Sequence, residues 1–345
     1  MTQPPPREEE LAGVATVAGR IRASMETALS GLDGAITAML ATVIAGGHLL
    51  IEDVPGVGKT TLARAFASSI DASVGRIQFT PDLLPSDVTG VSIFRSDSHV
   101  FEFRPGPVFA QVVIADEINR ASPKTQAALL EAMQERAVTV DGITRELPEP
   151  FLVVATQNPV EMEGTYPLPE AQRDRFMTHV SVGYPTARDE MAMLESHDGT
   201  DPLAHLTPVA DAATVSQMRA IASRVHASAA AKQYIVDLAR ATREEPHLAL
   251  GASPRAALQL LAASKARAAM AGRAHVLPDD IKALTASVFA HRLIPSAEAR
   301  LAGQTAIQLC HDIVARVPIP ASARDLPARR EPAYTPTPRT APPTP

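Results

Sequence analysis

Glu52-Asp53-Val54-Pro55-Gly56-Val57-Gly58-Lys59-Thr60-Thr61 holds the residue types that speak most directly of chemistry. The apolar run Leu49–Ile51 precedes it and the helical pattern Thr60–Ser69 follows, which is the setting a phosphate-binding loop needs. Gly56 and Gly58 let backbone N–H groups approach phosphate oxygens with no Cβ in the way, and Pro55, Val57 and Thr61 complete the loop. The helix N-terminus adds partial positive charge, and Lys59 supplies a mobile ammonium for β- and γ-phosphates. Thr60 stands where a hydroxyl ligand to Mg²⁺ is required. Asp53 replaces the glycine that the strict pattern puts six residues before the lysine. This loop implies ATP binding.

Four further segments offer partners for such a loop. Gln111–Ala115 is an apolar strand that ends in Asp116-Glu117, so Asp116 reaches the carboxyl edge of a sheet, where it can serve magnesium. Glu117, one residue on, is placed to orient or deprotonate an attacking water. Phe151–Thr156 ends in Gln157-Asn158-Pro159, and two readings of Asn158 stand: a contact to γ-phosphate or lytic water, or a pre-proline turn residue. Glu170-Ala171-Gln172-Arg173-Asp174-Arg175-Phe176 sets two arginines before a strand, for a neighbouring subunit's phosphates or for surface ion pairs. Gly251-Ala252-Ser253-Pro254-Arg255 reads as a helix start, with Ser253 as N-cap and Pro254 at the first position. Arg255 then faces nucleotide from a helical domain or lies on a plain helix surface.

The elements that position these residues follow from periodicity. Leu49–Ile51, Val112–Ala115, Phe151–Thr156 and Val180–Val182 are apolar runs of strand length, suited to a parallel α/β sheet covered on both faces. A helix ending at Ala45, then Gly46-Gly47-His48, leads into the first run. Gly90–Phe94 and Val100–Phe103 flank the turn Arg95–His99, and Val138–Val140 and Ile143–Arg145 flank Asp141-Gly142, a two-residue hairpin signal. From Asp211 to Val317 Ala-rich helices take over, near Ala212–His226, Ala231–Arg243, Pro254–Ala271, Asp279–His291 and Thr305–Val317. The expected division is a flexible tail over 1–10, the α/β core over 11–200, a helical lid over 205–317 and a Pro-rich disordered tail over 318–345.

Composition removes several function classes. A net charge of −6 and a pI near 5.9 argue against a large nucleic-acid footprint. Cys310 is the only cysteine, so no intrachain disulfide forms, and it reads as a core residue. The histidines show no metal-ligand spacing and no Gly-x-Ser-x-Gly elbow occurs. Asp82, Asp87, Glu161 and Glu163 read as solvated acids. The Pro-rich, acidic start is unlike a signal peptide. Ala35–Ile51 is free of charge but broken by Gly46-Gly47, so no membrane span and a cytoplasmic location are expected.

Gly46–Thr60, Gln78–Gly90, Ala115–Glu135 and Ala155–Phe176 resemble the MoxR branch of the AAA+ ATPases, with Gly251–Arg255 a further match in the helical part. The resemblance implies an AAA+ core with strand order 5-1-4-3-2 and a C-terminal helical lid. It implies that the hairpins are the helix-2 insert and the hairpin before sensor 1. Asn158 would be sensor 1, Arg175 the arginine finger and Arg255 sensor 2. It further implies ATP and Mg²⁺ as cofactors, a ring, commonly a hexamer, and chaperone-like remodelling of a client beside a von Willebrand factor A domain protein. Two other expectations stand beside it: a nucleic-acid motor, and an ATP-binding switch with little turnover.

Overall fold

The computed structural model describes residues 4–29, 31–53, 58–158, 166–183, 187, 191 and 202–320. The expectations for Pro55, Gly56, Val57, Glu161, Glu163 and the tail past 320 lie outside these residues. In chain order the first part runs α1 (Glu8–Ala28), α2 (Asp33–Ala45), β1 (Leu49–Glu52), α3 (Lys59–Ser69), β2 (Val74–Gln78), α4 (Pro85–Thr89), β3 (Gly90–Arg95), β4 (Val100–Pro105) and β5 (Val112–Asp116). It continues through α5 (Pro123–Glu135), β6 (Ala137–Val140), β7 (Ile143–Glu146), β8 (Leu152–Gln157), α6 (Glu170–Arg173) and β9 (Thr178–Val180).

The apolar runs become central strands because both their faces are covered. Leu49, Ile51, Val112, Ile114, Leu152 and Val154 pack with Ile36, Met39, Leu62 and Phe66 of α2 and α3. The alternate residues Leu50, Val113, Ala115, Val153 and Ala155 pack with Leu129, Leu130 and Met133 of α5. The five strands lie in the order β2-β5-β8-β1-β9, every neighbouring pair parallel. Numbered within the sheet this is 5-1-4-3-2. All carboxyl ends therefore open on one edge, where ligands of such sheets bind.

Both hairpins form. β3 pairs with β4, and β6 with β7 around Asp141 (φ 54) and Gly142 (φ 76), the mirror-image turn that matches strand twist. Arg145 stacks its guanidinium 3.9 Å over the Phe103 ring and so joins the two hairpins.

The second part contains α7 (Ala212–Ser223), α8 (Ala229–Arg243), β10 (Leu248–Leu250), α9 (Pro254–Met270), α10 (Pro278–Phe289), β11 (Ile294–Pro295), α11 (Ala297–Leu301) and α12 (Ala306–Arg316). Its core, with Tyr234, Leu238, Leu260 and Phe289, is continuous with Leu11 and Val14 of α1 and Ala41 and Ile44 of α2. Cys310 lies in that core, and burial pushes its thiol up to about 12.

Four expectations need correction. The acidic start is helix from Glu8: three acids in the first turn suit the helix dipole, and Glu10 accepts from the Arg7 N–H at 2.7 Å. The last strand is Thr178–Val180, not Val180–Val182, because the Ser181 hydroxyl and the Gly183 N–H turn instead to the Asp53 carboxylate. The sheet has a strand missed in the sequence, β2, and the helical part carries the small β10–β11 pair. The lid helix ends also move by one to three residues: α8 begins earlier, at Ala229, α7 stops at Ser223, and α10 passes into a 3-10 turn at Ala290–Arg292.

Candidate functional site

The phosphate-loop lysine, the two acids and the polar end of β8 converge on the carboxyl edge of the sheet. Gly58, at φ 85, caps α3 in the left-handed conformation that brings Lys59 and Thr60 into the first helical turn. The Lys59 ammonium donates to the Asp53 carbonyl at 2.5 Å and to the Gln157 carbonyl at 3.4 Å, so it spans the ends of β1 and β8. The Asp53 carboxylate accepts from Ser181 Oγ at 2.9 Å and Gly183 N at 2.5 Å. The residue that departs from the glycine pattern thus fastens the loop's start to the segment after β9.

Asp116 is buried, and its Oδ1 accepts from the Thr60 hydroxyl at 3.0 Å while Oδ2 accepts from Arg76 Nε at 2.9 Å. Among the described residues no group of three His, Cys, Asp or Glu could hold a metal by itself. Thr60 and Asp116 offer two hard oxygens, which suits magnesium, since that ion takes few protein ligands and completes its shell with water and phosphate.

Glu117 follows at φ 57, left-handed, with its N–H donating to Thr156 Oγ1 at 3.0 Å. Thr156 also reaches Asp116 Oδ1 at 3.5 Å, so one hydroxyl of β8 positions both acids. The Glu117 Oε2 accepts from Gln78 Nε2 at 3.1 Å and Arg120 Nη1 at 2.9 Å. Asn158 is buried at the same edge, where its carbonyl accepts from Asn119 Nδ2 at 3.4 Å. The amide oxygen of Asn119 is buried without a partner among the described residues.

Beside this edge Glu52 accepts from His179 at 3.1 Å, and that hydrogen bond holds its carboxyl below the ordinary range. A cavity of about 580 Å³ adjoins it, lined by the start of α2 (Asp33, Ala35), the end of β9 (Val180) with Ser181 after it, and the lid (Leu284, Ile307).

The two remaining arginines lie elsewhere. Arg175 and Arg255 line a cavity of about 230 Å³ with Gly46, Gly47 and His48, at the amino end of β1, so the sheet separates them from their own Lys59. Arg173 differs from Arg175: its Nε is buried without a partner among the described residues, and its charge acts on Glu52 and His291.

Between the two arginines Asp174 accepts from Arg292 Nε at 2.7 Å and Ser253 Oγ at 2.9 Å, with Arg255 Nη1 at 3.7 Å. Ser253 also caps α9, accepting from Ala256 N–H at 3.1 Å. The lid is thereby fastened to the turn that carries Arg175. Arg76, Gln78, Arg120, Thr156, Asp174 and Arg292 escaped sequence reading. Thr156 and Arg76 could have been found by asking which strand residues flank Asp116, whereas Asp174 and Arg292 left no local signal.

The chain is similar to known proteins over most of its length. Residues 48–178 match the ATPase family associated with various cellular activities (AAA), and residues 240–312 match the AAA lid domain. The chain is 49% identical to YeaC of Bacillus subtilis over 81% of this chain and 88% of that one. It is 40% identical to "Chaperone MoxR1" of Mycobacterium tuberculosis, over 84% and 79%, and 32% identical to "Protein MoxR" of Paracoccus denitrificans, over 87% and 95%. A crystal structure of a putative ATPase from Cytophaga hutchinsonii superposes with a TM-score of 0.83 at 37% identity, covering 91% of this chain and 98% of that one.

Proposed function

This chain belongs to the MoxR family of AAA+ ATPases, and from that premise we propose that it hydrolyses ATP with Mg²⁺ at sites shared between subunits of a ring. The observation that carries the reading is the pairing of Thr60 with Asp116 at 3.0 Å, beside Lys59 and Glu117 on one sheet edge. Lys59 and the loop N–H groups bind the phosphates. Thr60 and Asp116 hold magnesium, which when bound neutralises charge on the β- and γ-phosphate oxygens. Glu117 accepts a proton from the attacking water as its oxygen bonds to the γ-phosphorus, and the bond to the β–γ bridging oxygen breaks, leaving ADP and phosphate. Asn158 positions that water. The nucleoside end takes the 580 Å³ cavity between core and lid.

Arg175 and Arg255 serve the nucleotide of the adjoining subunit. Their place at the amino edge of the sheet supports this, since a head-to-tail neighbour presents its carboxyl edge there. Arg175 is the finger in this reading because its side chain lines that cavity, whereas the charge of Arg173 acts on Glu52 and His291.

The work done is chaperone-like remodelling of a protein client, such as a von Willebrand factor A domain protein. Exposed Phe94 and Phe101, paired at the tip of the β3–β4 hairpin, supply an apolar contact for it. Among the described residues no helix is long and apolar enough to cross a membrane.

A second reading, a switch with little turnover, is favoured by one observation: Gln78 and Arg120 both hold the Glu117 carboxylate. Steady-state hydrolysis over a protein concentration series, beside Glu117→Gln, separates the two. Composite sites require specific activity that rises with concentration and a variant that binds ATP without turnover. An inactive wild type that still binds ATP favours the switch, and an active Glu117→Gln removes Glu117 from its role.

A further inference from the structure

Four arginines gather where β1 begins, at the edge opposite the phosphate loop. Arg136, the left-handed cap of α5, donates from Nη2 to the Gly46 carbonyl at 3.1 Å. Arg175 and Arg255 line the adjoining cavity with Gly46. Arg219, from α7, lays its guanidinium across Gly46 so closely that a Cβ there would collide with it. Gly46 also takes φ 76, so glycine serves both the turn after α2 and the approach of Arg219.

Negative charge is scarce among these groups. Asp174 is engaged by Arg292 and Ser253, and Glu149, largely exposed, lies 3.6 Å from Arg136. Among the described residues the Arg219 guanidinium has no hydrogen-bond or ion-pair partner. It is half-buried, and burial first and Arg136 second hold its pKa below the ordinary guanidinium value, against an opposing pull from the Glu149 carboxylate. Lys265, which lines the next cavity with Arg219, adds to the excess of positive charge. A half-buried cation among like charges, opposed within the chain by the exposed Glu149 carboxylate, gains from a further anion that reaches it from outside. Guanidinium groups converging from α5, from the turn before β9 and from two lid helices suit a multivalent, many-oxygened anion better than one carboxylate.

We infer that Arg219 is a further cation for the terminal phosphates of a nucleoside triphosphate held by a second copy of this chain, acting beside Arg175. The inference rests on the composite-site reading above, because only a head-to-tail neighbour brings phosphates to this edge. Arg136 is a positioning residue: it holds the Gly46 carbonyl and turns Arg219 outward by like-charge repulsion.

The test uses the full-length protein with Arg219→Gln, Arg219→Lys and Arg175→Gln, each assayed for kcat, for KM toward ATP and for assembly by light scattering. Arg219→Gln is expected to lower kcat about 10- to 100-fold with assembly unchanged, and Arg219→Lys to recover part of the loss. Mixing Arg219→Gln with Glu117→Gln is expected to exceed the activity of either alone, since one supplies the intact acid and the other the intact arginine. Full kcat for Arg219→Gln beside a dead Arg175→Gln overturns the inference and leaves composite sites standing. Weakened assembly with full kcat at high protein concentration also overturns it, because Arg219 then pairs with the neighbour's protein surface. Full activity of Arg175→Gln sinks the composite-site reading, and this inference with it.

Discussion

Asp174→Asn should cost more than an exposed acid normally does, because of what it leaves behind. Arg292 is 3% exposed and Asp174 20%, and their contact of 2.7 Å joins lid to core. Removing one member of a buried pair costs about 3–5 kcal/mol, mostly the burden of the uncompensated charge. Two features reduce that here. Asp174 keeps some access to water, and Arg292 also donates to the backbone carbonyls of Phe176 at 2.5 Å and Met177 at 3.4 Å. A loss of about 2–4 kcal/mol follows, or a fall in thermal midpoint of roughly 3–6 °C for a chain of this size. Thermal unfolding of Asp174→Asn, Arg292→Met and the double variant measures it. In the double variant the stranded charge is gone, so its cost should fall well short of the sum of the two singles. A single-variant loss below about 1 kcal/mol, or strict additivity, would refute the claim that Asp174 compensates a buried cation.

His48 gives a pH-dependent prediction. Its Nδ1 accepts from the Val153 N–H at 3.0 Å and its Nε2 donates to the Met133 carbonyl at 3.2 Å, so the ring is neutral. Burial lowers its pKa to about 4 from an ordinary 6.5, and buried His291 is pushed down as well. A folded-state pKa below the unfolded one makes the stabilisation full above pH 6.5 and lost as pH falls toward 4, about 3 kcal/mol at most from His48. Denaturant midpoints from pH 7 to 4.5 should decline, and His48→Gln should flatten the slope; an unchanged slope contradicts this. Thr156→Val leaves the strained Glu117 N–H without its acceptor, so turnover should drop about tenfold while ATP binding, read by fluorescent nucleotide, holds. Equal loss of binding would instead make Thr156 a structural residue.

The sequence displayed what is buried on both faces and hid what is shared between distant segments. Val112–Asp116 is buried at every position and reads as a strand at sight. β2 is buried only at Gly75 and Ile77, and Val-Gly-Arg-Ile-Gln offers little apolar continuity, so an edge strand went unseen and Arg76 with it. Glu8–Glu10 looked like a solvated tail because its charge outweighs a partner that lies 214 residues away, Arg224 on Glu10. The Lys59-Thr60 pair and Asp116-Glu117 were legible because each sits beside an apolar run. Asp174 was not: Ser253 and Arg292 lie 79 and 118 residues from it, and no local pattern encodes such a meeting.

α5 starts a few residues after Glu117 and stops at Arg136, which holds the Gly46 carbonyl. Thirteen helical residues make a rod of about 20 Å, stiff along its axis because every turn is hydrogen-bonded. A push at its first turn is therefore delivered at its last with little loss. In the proposed ring each subunit would contain a strut between its own acid and the arginine edge facing the next copy. In a closed circle such struts join end to end, so neighbouring sites would not turn over independently; the state of one would set the timing of the next.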